Sequence, residues 1–154
     1  MSMIITKAEK SDLKEILELQ YLAFKSEAKR INDFSIPPLV QTYDEKLVEY
    51  QKKTILKAVN LNGKIIGSVS VYTVDGISHI EKLIVNPEFQ KQGVGKALLL
   101  AAENEYPSER YELYTGTKNS EAISLYERVG YVGFKEEKVS DNLTFVYMEK
   151  YKNE

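Results

Sequence analysis

The residues best suited to chemistry form a short loop, Gln90-Lys91-Gln92-Gly93-Val94-Gly95-Lys96, between a strand pattern and an apolar helix pattern. Gly93 and Gly95 let the backbone approach a ligand closely, because glycine has no Cβ. The unpaired N–H groups of the first helical turn point at the same place and favour negative charge. Lys91 and Lys96 add positive charge. The loop therefore predicts an anion site suited to phosphate.

Two familiar phosphate-binding motifs do not match this loop. A Walker loop closes with Gly-Lys-Ser or Gly-Lys-Thr, whereas Gly95-Lys96 is followed by Ala97. A dinucleotide fingerprint needs a third glycine beside a parallel strand, whereas position 98 is Leu and the preceding strands are predicted to be antiparallel. If only Gly93-Val94-Gly95 is considered, the alternative is an ordinary helix start, in which the two glycines allow a turn and bind no ligand.

The strands that must position the loop are predicted from alternating and β-branched residues. They cover residues 3–6, 54–60, 65–74, 77–85, 111–115, 132–139 and 143–151, with two-residue hairpin turns at Asn62-Gly63 and Asp75-Gly76 and a further turn at Asp141-Asn142. The middle three form an antiparallel meander. Because strands and helices are interleaved, an α/β (α+β) fold is expected, with a mixed, mostly antiparallel central sheet in a single domain over residues 1–154.

About four helices are expected to flank this sheet. They cover residues 13 to about 24 with a longer extent left open, 42–52, 94 to just before Pro107, and 119–129, the last closed by Gly130. Asp12 with Glu15 and Thr42 with Glu45 have capping-box spacing. Pro37-Pro38 predicts a loop or extended chain over residues 30–41, because proline donates no backbone hydrogen bond.

Composition excludes several function classes. The 154 residues include no cysteine and one histidine, which excludes disulfides, cysteine nucleophiles, thiolate zinc sites and histidine-rich metal sites. Lys and Arg total 21 against 23 Asp and Glu, so nucleic acid is not an expected partner. The longest apolar run, residues 97–102, is far short of the roughly 20 residues of a membrane helix. With no signal-peptide core at its start, the chain is expected to be cytoplasmic, with no metal and no membrane partner.

Two sequence blocks together resemble the acetyl-CoA signature of the GNAT superfamily of N-acetyltransferases. The first runs from Leu83-Ile84-Val85 through Asn86-Pro87-Glu88-Phe89 to Gln90-x-x-Gly93-x-Gly95. The second contains Asn119, Ala122 and Leu125-Tyr126-Glu127-Arg128-Val129-Gly130-Tyr131. The blocks occur in the family's order with a strand between them, and the element order agrees over nearly the whole chain.

The resemblance implies roles for individual residues. Backbone groups of residues 83–85 would pair with the pantetheine arm, the amides of residues 92–96 with Gln90 nearby would hold the pyrophosphate, and Asn119 would bind the pantetheine arm. The residues assigned to acetyl-CoA are Leu83, Ile84, Val85, Gln90, Lys91, Gln92, Gly93, Val94, Gly95, Lys96, Asn119 and Tyr126. Gln90 replaces an arginine found in many members, and Gln92 stands where glycine or a basic residue is frequent, so the expected charge at the phosphates is lower.

N-acetylation needs a neutral amine, so a group must take its proton directly or through water. His79 and Glu81 lie two residues apart on one predicted strand and share a face unless a bulge intervenes. By distance from Gln90, both resemble positions from which family members draw a base. For Glu81 an ion-paired strand residue is the alternative, and for His79 a hydrogen-bonded or exposed strand residue.

Tyr126 would stand near the coenzyme sulfur and protonate the departing thiolate. Its alternative is a helix tyrosine that covers the sheet. Asn119 also suits a helix N-cap, and both of its roles are compatible. Among the N-terminal aromatic residues, Phe24 and four others are candidates for the acceptor site or for the core.

The expected function is transfer of an acetyl group from acetyl-CoA to a primary amine, directly in a ternary complex and without metal. The acceptor is a small-molecule or peptide amine, whose identity the sequence leaves open. Homodimers are common in this family, so a homodimer is among the expectations. The alternatives are a non-catalytic acyl-CoA sensor of the same fold and a phospholigand-binding domain of another fold.

Overall fold

The computed structural model describes residues 2–152, which form one seven-stranded sheet with helices on both faces. The strands are β1 (Met3–Lys7), β2 (Thr54–Asn60), β3 (Ile65–Val74), β4 (Ile77–Val85), β5 (Arg110–Gly116), β6 (Val132–Lys138) and β7 (Thr144–Tyr151). The helices are α1 (Leu13–Ile31), α2 (Pro37–Val40), α3 (Tyr43–Lys52), α4 (Val94–Glu105) and α5 (Ser120–Val129). The strand order is β1-β2-β3-β4-β5-β7-β6.

Only the contact between β4 and β5 is parallel; every other pairing within residues 2–152 is antiparallel. The prediction of a mixed, mostly antiparallel sheet is therefore confirmed. Hairpins connect β2 to β3 and β3 to β4, whereas the parallel step from β4 to β5 needs the crossover helix α4. This crossover places the predicted loop 90–96 directly after β4.

Each face of the sheet has its own apolar layer. On one face, α4 packs Leu98 and Leu99 against Val69 and Ile80, and α5 adds Tyr126. On the other face, an apolar stripe on α1 packs against β2 and β4. Its buried members are Leu13, Ile16 and Leu19, and their partners include Ile55 and Ile84. The stripe recurs every three or four residues, as an amphipathic helix requires.

The sheet opens between β4 and β5. These strands pair at only three positions, from Ile77 opposite Arg110 to His79 opposite Glu112. Further along β4, Ile84 and Val85 pair with β3 alone among the described residues. A ligand with amide groups could therefore add to the free edge of β4 as another strand does.

A β-bulge lies at the start of this opening. Ser70 faces Glu81 and Ser68 faces Ile84, so Val69 stands opposite the two residues Lys82 and Leu83. Lys82 has φ of 52°, which a side chain tolerates poorly. Because of the bulge, the side chains of the successive residues Glu81 and Lys82 both reach α3. Lys82 binds Glu49 on α3, and Glu81 binds Lys53, the residue that follows α3.

The helix α1 continues to Ile31, an extension that the apolar stripe left open. The structure corrects three local predictions. The capping box before α1 joins Glu9 to Asp12, not Asp12 to Glu15. The Asn62-Gly63 turn is a three-residue loop, since Asn60 pairs with Lys64 and Gly63 has φ of 80°. Such loops join a turn to a glycine in the left-handed region.

The third correction concerns Pro37-Pro38, which open the one-turn helix α2 instead of a loop or extended chain. The first helical positions need no N–H donor, so proline fits there. The Thr42–Glu45 capping box is present as predicted. Within residues 2–152, no helix combines the length and apolar character needed to cross a membrane.

Candidate active site

A cleft of about 1430 Å³ opens where β4 and β5 diverge. Its walls are the loop 90–96 with the start of α4, the helix α5, the ends of β4 and β5, and parts of α1 and α2. The predicted residues that line it are Glu81, Leu83, Ile84, Val85, Gln90, Lys91, Gly93, Val94, Gly95, Lys96, Asn119 and Tyr126. His79 and Gln92 do not line it.

The loop 90–96 presents backbone N–H groups to this cleft. Gly93 is the N-cap of α4 with φ of 85°, and no side chain caps the helix there. The first-turn N–H groups therefore remain available to a ligand. Gly95 packs closely on α5, since a Cβ there would lie 3.2 Å from Leu125 Cδ2. The two glycines thus serve a turn and a close helix contact.

The two ends of the cleft differ in charge. Among the described lining residues, the end near the loop carries Lys91, Lys96 and Arg128 with the single acid Glu121. This excess of positive charge complements phosphate groups. The opposite end carries Glu27, Glu45 and Glu81 with Arg30 and Lys82, so acidic and basic side chains are nearly balanced there.

Glu81 lies at the boundary between the cleft and a smaller side pocket of about 360 Å³, and lines both. Its carboxylate binds Lys53 Nζ at 3.1 Å. His79 lies on the same face, as predicted, because the bulge comes after Glu81. The His79 ring stacks on Tyr72 with centroids 5.0 Å apart in the side pocket. Of the two candidate bases, only Glu81 reaches the cleft.

Tyr126 enters the cleft from the face that carries α4 and α5. The residue is 6% exposed and its ring lies 6.2 Å from that of Tyr131. Burial raises the pKa of Tyr126 above its ordinary value, so the hydroxyl stays protonated and can donate a proton. Tyr126 lies on the opposite side of the sheet opening from Glu81, which is on the face that carries α1 and α3.

Asn119 is the N-cap of α5, as its alternative role predicted. Its side-chain oxygen accepts a hydrogen bond from the Ala122 N–H at 3.2 Å. The side-chain NH₂ group is the donor that Asn119 can offer to a ligand, since the residue also lines the cleft.

The sequence analysis missed a buried polar cluster beneath the end of the cleft that Glu81 and Lys82 line. Lys46 Nζ donates to Gln20 Oε1 at 2.9 Å and to Glu49 Oε2 at 3.2 Å. Ser70 Oγ donates to Glu49 Oε2 at 2.6 Å, and Lys82 binds the other oxygen of Glu49. The cluster fixes α3 against the bulge. The charged residues of α3 resemble an ordinary solvated helix face, so no sequence signal indicated it.

The charges in this cluster alter the pKa values of its members. Burial lowers the pKa of Lys46 to about 8, against the opposing charge of Glu49. For Glu49, burial disfavours the charged form, but Lys46, a hydrogen bond from Gln41 and Lys82 outweigh it and lower the pKa to about 2. The carboxylate of Glu49 is therefore held ionised.

No group of three or more His, Cys, Asp or Glu side chains within residues 2–152 could hold a metal ion. The arrangement instead combines an anion-binding helix start, a free strand edge, a protonated tyrosine and a carboxylate around one opening. These groups can bind a ligand that carries both phosphate and amide groups. The tyrosine and the carboxylate can assist proton transfer on opposite sides of that ligand.

Residues 25–152 match the family model for the acetyltransferase (GNAT) domain. Two curated relatives are each 30% identical to the chain. The UPF0157 protein YqkA of Bacillus subtilis aligns over 77% of this chain, and the uncharacterized N-acetyltransferase MJ1207 of Methanocaldococcus jannaschii over 82%. The chain spans 34% and 59% of the lengths of these relatives, respectively.

A solved structure shares the same fold. The PaiA N-acetyltransferase of Thermoplasma acidophilum, crystallised with coenzyme A, superposes with a TM-score of 0.79 at 22% identity. The match covers 98% of this chain and 99% of that one. With the family model matching most of the sequence, the chain belongs to the GNAT family of acetyltransferase domains.

Proposed function

We propose that the protein transfers an acetyl group from acetyl-CoA to a primary amine, directly and within a ternary complex. The observation that carries this proposal is the opening between β4 and β5, which joins the free edge of residues 83–85, the loop 90–96 and Tyr126 in one cleft. The coenzyme A complex of the similar PaiA structure supports coenzyme binding in this family.

In the proposed complex, the phosphates of acetyl-CoA bind the N–H groups at the start of α4, where helix geometry favours anions. The pantetheine amides pair with the backbone of residues 83–85 and with Asn119. These contacts direct the thioester into the sheet opening, between the face of Tyr126 and the face of Glu81. The acceptor enters from the side of α1 and α2.

The proposed acetyl transfer begins with deprotonation of the acceptor. Glu81, directly or through water, takes a proton from the ammonium form of the acceptor. The freed nitrogen lone pair attacks the thioester carbonyl carbon, forming a C–N bond and an oxyanion near the backbone N–H groups of β4. The nitrogen of this intermediate gives up its second proton to water, collapse breaks the C–S bond, and Tyr126 protonates the thiolate. An N-acetyl product and CoA leave, and solvent restores both protonation states.

The side chains available support direct transfer. The chain has no cysteine, and its single histidine lies outside the cleft. Among the described residues, no serine that lines the cleft is therefore paired with that histidine as an activated nucleophile.

The test is amine-dependent release of CoA from acetyl-CoA, measured with a thiol reagent across a panel of primary amines. We expect turnover with at least one amine, and initial-rate lines that intersect when both substrates are varied. Tight acetyl-CoA binding without turnover on any amine would instead identify a sensor. A trapped acetylated protein that discharges to amine at a competent rate would exclude direct transfer.

A further inference from the structure

The inference concerns Lys82, which lies in the bulge of β4 between Glu81 and Leu83. Its backbone has φ of 52°. A residue with a Cβ is strained in this left-handed region, because the Cβ comes close to the following carbonyl oxygen. Another interaction must therefore stabilise the bulge.

The apolar residues after the bulge do not by themselves specify its register. Ile80 comes before the bulge and packs on the face that carries α4, as do Leu83 and Val85 after it. Ile84 packs on the face that carries α1. Without the extra residue of the bulge, strict alternation would exchange the faces of Ile84 and of its two neighbours. Both arrangements bury apolar side chains of similar size, so hydrophobic burial discriminates poorly between them.

The side chain of Lys82 supplies this discrimination. Its Nζ binds the carboxylate of Glu49 and donates a hydrogen bond to Gln41 Oε1 at 3.2 Å. The other oxygen of Glu49 accepts a hydrogen bond from Ser70 Oγ on β3 at 2.6 Å. Glu49 therefore binds both strands at the bulge. In an unbulged strand, Lys82 would alternate with Glu81 and point to the opposite face, away from Glu49.

The register of β4 decides which backbone groups lie on its free edge. In a strand, the N–H and C=O groups of successive residues point alternately to the two sides. Beyond the bulge, Ile84 and Val85 pair with β3, and the Asn86 N–H donates to the Ile66 carbonyl at 2.8 Å. A slip of one residue would exchange the groups that bind β3 with those that face the sheet opening.

We propose that Lys82 is a positioning residue, whose ion pair with Glu49 selects the bulged register of β4 and so sets which backbone groups of residues 83–85 face the coenzyme. This proposal deepens the proposed function and rests on it for the identity of the ligand at this edge.

The test compares three substitutions of Lys82 that all remove the ion pair but differ in backbone preference. Lys82→Ala keeps the strain at φ of 52°, whereas Lys82→Gly removes it and Lys82→Asn reduces it. In calorimetric titrations with CoA, Lys82→Ala should bind about tenfold more weakly than the wild type, as expected when about a tenth of the protein keeps the bulged register. Lys82→Gly and Lys82→Asn should stay within about threefold of the wild type, because the bulge is retained without strain.

Asp75 provides the matched control. It also has positive φ, 50°, but it lies in the turn between β3 and β4 and lines neither the cleft nor the side pocket. Asp75→Ala and Asp75→Gly should both bind CoA as the wild type does. The difference between their thermal unfolding midpoints measures the general effect of positive φ on stability.

Amide hydrogen exchange in the coenzyme-free protein tests the register without any ligand. The Asn86 N–H should exchange at least about tenfold faster in Lys82→Ala than in Lys82→Gly, because its hydrogen bond to Ile66 exists only in the bulged register.

Equal losses of CoA affinity in all three Lys82 variants would overturn the proposal, since they would indicate that the ammonium group itself contacts the ligand. Unchanged affinity in Lys82→Ala, with or without a lower unfolding midpoint, would also overturn it. Equal Asn86 exchange in Lys82→Ala and Lys82→Gly would refute the role of the ion pair even when CoA binds normally. If the wild type binds no CoA, the proposed function fails, and the exchange rates still decide whether the ion pair sets the register.

Discussion

The carboxylate of Glu49 and the ammonium group of Lys46 lie 3.2 Å apart, and their side chains are only 6% and 2% exposed. This buried ion pair connects α3 to the residues that form the bulge on β4, because Glu49 also binds Ser70 and Lys82. The end of the cleft lined by Glu81 and Lys82 therefore lies against charges that water does not screen.

Replacing Glu49 with Gln is expected to destabilise the fold. The change leaves Lys46 buried without its counter-charge, and breaking a buried pair typically costs about 3–5 kcal/mol. The measurement is urea-induced unfolding of the wild type, Glu49→Gln and the exposed-site control Glu18→Gln. The control stays within about 0.5 kcal/mol of wild type. A loss of less than about 1 kcal/mol in Glu49→Gln would show that the pair is not structurally important.

The same carboxylate predicts acid sensitivity. The pKa of Glu49 is about 2 in the fold, lowered from 4.5, so its contribution to stability is complete above about pH 4.5 and declines toward pH 2. By linkage, the unfolded chain takes up this proton first, and the loss is on the order of 3 kcal/mol. Unfolding free energies measured between pH 6 and pH 3 should fall less steeply in Glu49→Gln. Parallel curves would contradict the assignment.

Aspartate at either loop glycine is expected to abolish acetyl-CoA binding. Gly93→Asp adds strain at φ of 85° and negative charge at the phosphate site, and Gly95→Asp pushes a side chain against Leu125. Gly63→Asp is the matched control, since Gly63 also has positive φ and open space but lies in a hairpin outside the cleft. Calorimetry on folded variants should show loss of binding for the first two and none for the third. Retained affinity in both loop variants would refute this site.

Tyr126→Phe is expected to lower kcat by about 10–100-fold, because it deletes the proposed proton donor while keeping the buried ring. The effect stays at the lower end of acid catalysis, since a thiolate is already a good leaving group. Acetyl-CoA affinity and stability should change little, and Tyr43→Phe, an exposed tyrosine, should change neither. If Tyr126→Phe keeps the wild-type kcat while the chemical step limits the rate, Tyr126 serves only in packing.

Glu81→Gln is expected to reduce kcat/KM for the amine most at low pH, where little free amine exists and proton removal matters most. His79→Ala should cost much less, because His79 lies in the side pocket beside Tyr72. A pH-rate series on both variants makes the comparison. A larger loss of kcat/KM in His79→Ala than in Glu81→Gln would assign the base role to His79. An unchanged kcat/KM in both variants would indicate that the amine binds in its neutral form.

Local patterns in the sequence predicted most of the elements and the glycine loop that opens α4, because both depend on nearby residues. Apolar spacing located α4 and α5, and the Gly93-x-Gly95 pair marked the start of α4. The Asp75-Gly76 turn also followed from local chemistry, since both residues adopt positive φ.

The end of the cleft lined by Glu81 and Lys82 could not be predicted in this way, because its features depend on contacts between distant elements. The bulge at Lys82 exists only through the pairing of β4 with β3. Lys46 is buried because Gln20, 26 residues earlier, supplies a hydrogen-bond acceptor. Glu27 contacts Gly116 only because α1 packs over the end of β5. A sequence pattern assigns such charged residues to solvent by default.

The short parallel contact between β4 and β5 also has a mechanical consequence. Within the described residues, three residue pairs join these two strands, which connect one half of the sheet to the other. A coenzyme that pairs with the free edge of β4 would add contacts between β4 and β5 and so limit hinge motion between the two halves of the sheet. Amide hydrogen exchange in residues 83–85 and 113–116 would then slow together when coenzyme binds, even where β5 itself makes no direct contact with it.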